Sequence, residues 1–208
     1  MKKSYLLISF FLCCFLVSSA KSPVAVDLGL PSGTKWASCN VGATEPWGYG
    51  GYYAWGETGE KEDYSWSTYK YCNGSFYIMT KYSYRDNKTI LEAEDDVATV
   101  KWGDAWRMPT SDEQKELIDN CTWEWSTLNG VNGYQVTGPN GNSIFLPAAG
   151  FRNGQELVGQ GDYGLYWLAS LDSDSPGSGF SLFFFDLSYD YGRNDRSYGH
   201  TVRPVSAK

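Results

Sequence analysis

The sequence predicts an α+β domain in which two short helices, set in the middle of the chain, pack against irregular antiparallel strands. Three observations carry this expectation. Thr110-Ser111-Asp112-Glu113 opens an apolar stripe at helical spacing. Segments before and after it alternate apolar and polar residues and are punctuated by Gly, Pro and Asn. The run from Tyr166 to Val205 alternates large aromatics with small polar residues at the period of a strand.

Taken in order, the chain opens with Lys2 and Lys3, an apolar run from Tyr5 to Val17, and Ser18-Ser19-Ala20. This is the pattern of a secretory signal peptide over residues 1–20, leaving 21–208 as a single exported domain. The run is too short for a membrane span. Phe10-Phe11-Leu12 before Cys13 lacks the small residues of a lipid-attachment site, so an anchored form is the lesser expectation. Residues 24 to 42 read as two strands around a Pro31-Ser32-Gly33 turn, and residues 43 to 89 as glycine-punctuated, aromatic loop. Most of the tryptophans, including those in Trp47-Gly48, Trp55-Gly56 and Trp102-Gly103, are expected to be buried. Trp47, Trp55 or Trp66 forming a sugar-stacking platform is the alternative.

A short helix is expected over Glu92 to Lys101, acidic early and basic late. A second runs from about Ser111 to Asn120, with Thr110 and Glu113 as a capping box and Leu117, Ile118 and Cys121 as its apolar stripe. Gly133–Thr137 and Ser143–Pro147 flank Gly138-Pro139-Asn140-Gly141 as a hairpin, and residues 150 to 164 read as a loop.

In the C-terminal run, Phe183, Phe185, Leu187, Tyr189, Tyr191, Arg193 and Asp195 share one parity and are expected on one side of a hairpin, with Gly192 free for a turn or bulge. Tyr, Phe and Arg are what binding surfaces favour. The plainer reading is the core of a half-buried sheet. The polar crowd around the run argues against it, and Asp172, Asp174, Phe183, Phe185, Tyr189, Tyr191, Arg193 and Asp195 are therefore expected to form a ligand-binding face.

Composition limits the chemistry. A net charge of -7 without basic clusters makes nucleic acid and anionic membrane poor partners. The single histidine, His200, excludes a His-rich metal site and leaves at most one imidazole for catalysis within this chain, and it reads as a polar residue at a strand entrance sooner than as a catalytic group. Cys39, Cys72 and Cys121 fit no metal module, and their pairing cannot be read from spacing. No carboxylate pair is marked out for glycoside hydrolysis, and Asp172 and Asp174 read as solvated loop residues sooner than as cation ligands. No enzyme activity, metal or cofactor is expected. Arg107 and Arg203 are expected to tie backbone carbonyls together.

Six motifs occur in one order: Asn40-Val41-Gly42-Ala43, Tyr53-Ala54-Trp55-Gly56-Glu57, Trp106-Arg107-Met108-Pro109-Thr110, Leu146-Pro147-Ala148-Ala149-Gly150, Tyr166-Trp167 and Val202-Arg203-Pro204-Val205. Together they resemble the Fibrobacter succinogenes major paralogous domain family of exported proteins from gut Bacteroidetes, over about residues 26 to 205. The resemblance implies a C-type-lectin-like fold. Formylglycine-generating enzymes of that fold group need paired cysteines near the C-terminus, and none lies beyond Cys121. Calcium-dependent lectins carry Glu-Pro-Asn, Gln-Pro-Asp or Trp-Asn-Asp, all absent here. Variable proteins diversified by retroelements are the better comparison, because their variation falls near the C-terminus at residues of the kind found in Phe180 to Tyr198. The expectation is an exported, non-enzymatic ligand-binding or adhesion protein at the cell surface, with a protein or glycan ligand and no cofactor. The alternatives are a structural component of a fibre or envelope complex and a glycan-stacking adhesin.

Overall fold

The computed structural model describes residues 23–206, so the expected signal peptide lies outside the described residues. The helices begin where their side chains satisfy free amides. Thr110 Oγ1 accepts the Glu113 N–H at 3.2 Å, Glu113 Oε2 accepts the Thr110 N–H at 3.0 Å, and helix α2 runs Ser111–Asn120 as expected. The helix expected over Glu92 to Lys101 is interrupted. A 3-10 turn at Ala93–Asp95 precedes α1, Val97–Trp102, and Asp96 between them is extended. Its Oδ1 accepts the amides of Ala98 and Thr99, while Oδ2 takes the Met108 amide at 2.8 Å. An aspartate in that position stabilises a helix start better than a helix interior.

Among the described residues twelve short strands, all antiparallel in their ladders, make the rest, so the fold is α+β with strand predominating. β1 (Ala25–Asp27), β2 (Lys35–Ala37), β12 (Val205–Ser206) and β3 (Trp106–Arg107) form a four-stranded sheet joining the two ends of the domain. β4 (Thr122–Leu128), β5 (Val131–Thr137) and β6 (Ser143–Pro147) form a second, and β7 (Phe151–Asn153) pairs with β8 (Glu156–Val158). β9 (Tyr163–Leu171), β10 (Ser178–Phe185) and β11 (Ser188–Asp195) form the last, with β11 at an edge. The expected hairpin is β5–β6. The loop expected over residues 150 to 164 instead contains the β7–β8 hairpin, and β4 follows α2 with Trp123 and Trp125 alternating against Thr, Glu and Ser.

The β9–β10–β11 sheet separates two cores. On one face Tyr166, Leu182 and Phe184 pack with Leu117 of α2 and with Tyr134, Val136, Ile144 and Leu146. On the other, Trp167, Ala169 and Leu171 pack under the aromatic loops, against Trp55, Tyr69, Tyr71 and Tyr82. Polar bonds pin the cores together. Arg203 gives its Nε to Asn40 Oδ1 at 2.8 Å and its Nη atoms to the carbonyls of Ala37 and Phe145. Asn40 in turn meets Tyr166 Oη, and Tyr166 donates to the Pro147 carbonyl at 2.6 Å. Trp167 Nε1 donates to the Tyr53 carbonyl. Arg203 is thus the backbone tie expected of it, whereas Arg107 mainly grips the Glu113 carboxylate, at 2.5 and 2.7 Å. Among the described residues no helix is long and apolar enough to cross a membrane.

Candidate ligand-binding site

The turn between β10 and β11 decides where the C-terminal aromatics go. Only Asp186 and Leu187 lie between Phe185 and Ser188, and the register then sets Phe184 against Tyr189, Phe183 against Asp190, Leu182 against Tyr191 and Phe180 against Arg193. Residues directly opposite each other share a face. Odd residues of β11 therefore stand on the same face as even residues of β10. The expectation that Phe183, Phe185, Tyr189, Tyr191, Arg193 and Asp195 form one surface fails for this reason: the two phenylalanines face one way and the β11 residues the other.

Tyr189 is half-buried, stacked on Trp123 at 4.6 Å and edge-on to Tyr134, and belongs to the packing of the α2 side. Tyr191 and Asp195 are exposed on that same face. Arg193, also exposed, directs its Nε to Asp172 Oδ2 at 3.0 Å. Asp172, expected at the ligand face, is buried, and its Oδ1 accepts the Asp174 amide at 3.1 Å. Asp174 is exposed, and its carbonyl receives the Tyr84 hydroxyl. These bonds make Asp172 a loop organiser.

Phe183 and Phe185 line an open cleft. The loops that cover Trp167, Ala169 and Leu171 stop short of the other end of the sheet, and there an open trough of about 720 Å³ remains. Its lining comprises Phe151, Tyr163, Leu165, Phe183, Phe185 and the stretch Gly192 to Asn194. The rings are tilted, Tyr163 to Phe183 by 40° and Phe183 to Phe185 by 48°, so they make a ridged cleft. Asn194 Nδ2 is held by Ser181 Oγ at 2.7 Å. At Gly192 a Cβ would meet no atom within 4 Å, and its φ lies outside the left-handed region, so the fold itself does not require glycine there. Glycine inside a strand often marks a close approach by a ligand or another backbone. Tyr163 and Phe151 were missed by the sequence reading because residues 150 to 164 read as loop, and Leu165 because it stands between that loop and the Tyr166-Trp167 anchor. The matching parity of Tyr163 and Leu165 with Trp167 was the available signal.

No family model matches this chain, and no curated protein or solved structure matches it. The site stands on its own geometry.

The carboxylate cluster is already satisfied. Glu92, Glu94 and Asp95 bring their carboxylates together, but Lys81 Nζ sits among them at 2.7, 2.9 and 2.5 Å, and the hydroxyls of Tyr71 and Tyr82 donate to Asp95. An ammonium thus holds the place a cation would take. His200 is buried with its ring stacked 3.8 Å from Trp167, and burial pushes its pKa well below the ordinary imidazole value. Neither ring nitrogen has a hydrogen-bond partner. Trp55, a candidate for sugar stacking, is fully buried with Nε1 on the Leu168 carbonyl, which removes it from any platform. A second groove, of about 490 Å³, lies between Phe76 to Met79, Ser83 to Arg85 and Ser175 to Gly177. Buried Arg196 frames it by donating to the carbonyls of Lys81, Tyr82 and Pro176.

Proposed function

We propose that this chain is an exported, non-enzymatic binding protein with a C-type-lectin-like fold, and that it holds a protein ligand by taking apolar side chains of that ligand into the Phe183–Phe185 trough. The observation that carries the reading is the trough itself: an open apolar cleft on an otherwise acidic domain, with an uncovered glycine at its margin. Exposed apolar surface of this kind marks interaction sites. A protein ligand is favoured over a glycan on two grounds. Tilted rings accept knobs better than the flat face of a sugar. The polar groups at the margin that would orient hydroxyls, Arg193 and Asn194, are engaged with Asp172 and Ser181.

The hydrogen bonds among Asn40, Tyr53, Pro147, Tyr166, Trp167 and Arg203 support the resemblance to the major paralogous domain, because they give its motifs a common scaffold role. Diversification by a retroelement extends the same reading. The exposed hairpin positions, Asp186 to Ser188 and Asp190, Tyr191, Arg193 and Asp195, can vary without touching either core.

The test is selection of phage-displayed random peptides on immobilised wild-type protein, with a glycan array alongside. Peptides that bind wild type and lose at least tenfold on a Phe183→Ala/Phe185→Ala double variant are the expected result. Ligands indifferent to the double variant, or strong glycan signals without peptide binding, would sink the proposal.

A further inference from the structure

The trough opens onto a strand with an unused side. β9 sends the backbone groups of its odd residues away from β10: Tyr163 and Leu165 carbonyls receive the amides of Gly150 and Thr201, and the Trp167 and Ala169 amides go to Thr201 and Pro109. Even residues of β9 therefore pair with even residues of β10, odd residues of β10 pair with even residues of β11, and the odd residues of β11 point their backbone groups outward. Tyr191 shows the outcome directly, its amide turned away from β10 and donating to the carboxylate of Asp190 at 2.8 Å. Tyr189, Tyr191 and Arg193 thus present amides and carbonyls along a free edge.

We infer that this edge and the trough form one site, which binds an extended segment of a partner protein as an added strand, its apolar side chains alternating with basic ones. The inference rests on the trough reading above. Gly192, which leaves the sheet open between Asp190 and Asn194, lets side chains of an added strand pass over β11 toward Phe183 and Phe185. The basic character follows from charge. Asp186 at the turn and Asp195 on the α2 side, the side to which the alternate side chains of an added strand would point, are exposed, and among the described residues no ion pair involves them, whereas Arg193, the only cation of the strand, is spent on Asp172. Main-chain bonds would supply affinity and the alternate pockets would supply selectivity, as in other strand-addition complexes. Asp190 must release the Tyr191 amide as the strand arrives.

The probe is a capped nonapeptide alternating lysine and leucine, measured by fluorescence anisotropy on the exported domain. A scrambled, non-alternating peptide of the same composition should bind at least tenfold more weakly. Two further peptides carry N-methyl groups on all leucines or on all lysines. Strand addition presents one of these two amide sets to β11, so one methylated peptide should lose at least tenfold and the other should bind like the parent. Tyr191→Pro, which removes an outward amide and leaves the β10 ladder intact, should lose binding that Tyr191→Ala retains. Equal binding of the parent and both methylated peptides overturns strand addition while leaving the trough intact. Methyl-sensitive binding that survives Phe183→Ala/Phe185→Ala overturns the trough and the joint site with it. No binding of the alternating peptide overturns the proposal outright.

Discussion

The guanidinium of Arg196 lies 4.7 Å from the ring centre of Trp55, fully buried, and is solvated by the Tyr69 hydroxyl and three backbone carbonyls. One side chain therefore fastens the aromatic loops around residues 81 and 82 and the loop at Pro176 to the end of β11. Removing it strands those acceptors in the interior. Arg196→Leu should lower stability by on the order of 3 kcal/mol in urea denaturation. Arg196→Lys should not restore it, because a compact ammonium cannot reproduce the planar fork. A lysine variant as stable as wild type would remove Arg196 from this role.

His200 makes stability depend on pH. Its folded pKa lies well below the ordinary value of about 6.5, so the unfolded chain takes up the proton first. Its effect is absent above that pH, and stability falls as pH drops below it, by at most about 1.4 kcal/mol per unit. As the chain has one histidine, His200→Phe should flatten the stability profile between about pH 5 and 6.5. An unchanged slope would assign the effect elsewhere.

Glu113 acts in the same sense over a more acid range. Burial alone would raise its pKa, but the Arg107 fork and the Thr110 amide outweigh it and hold the carboxyl below the usual range. Its contribution is present above the unfolded pKa of about 4.3 and is lost as pH falls through the depressed folded value. Glu113→Gln should cost roughly 2 kcal/mol at neutral pH. Chemical denaturation at pH 7 and pH 3 should show the gap between variant and wild type closing at the lower pH.

The two faces of the hairpin should separate packing from recognition. Tyr189→Ala removes a ring stacked on Trp123 and should cost about 2 kcal/mol. Phe183→Ala, in the open trough, should cost less than about 1 kcal/mol while reducing ligand capture. Urea melts of the two variants side by side decide the matter, and a reversed order would place the recognition face on the wrong side of the sheet.

Gly192→Val should stabilise the domain by about 0.5 to 1 kcal/mol, because a β-branched residue suits a strand and nothing lies within 4 Å of its Cβ. The same side chain narrows the margin of the trough. A variant that melts later yet binds trough ligands more weakly is the expected result. Unaltered peptide binding would show that the opening at Gly192 is not used.

What could be read from the sequence followed short-range physics. Thr110 and Glu113 announced α2 because a capping box is local, and the β5–β6 hairpin was visible through its Gly138-to-Gly141 turn. Parity identified Phe183 and Phe185 as surface aromatics, but carrying that parity through Asp186-Leu187 put Tyr189 and Tyr191 on the wrong face, since a two-residue turn exchanges it. Arg196 and the split at Asp96 escaped because their partners, the Pro176 carbonyl and the Met108 amide, are brought near only by the folded chain.

The brevity of the Asp186-Leu187 turn gives this protein an economical route to novelty. One extra codon there, at a tip where Leu187 is already 86% exposed, would roll β11 over. Tyr191 and Arg193 would then swing to the side of Phe183 and Phe185, while Asp190 and Asn194 moved to the α2 side. The exposed face of the hairpin would in this way change character through a length change alone, with no aromatic residue substituted and the bonds among Asn40, Tyr166 and Arg203 kept, at the loss of the Tyr189 stack on Trp123.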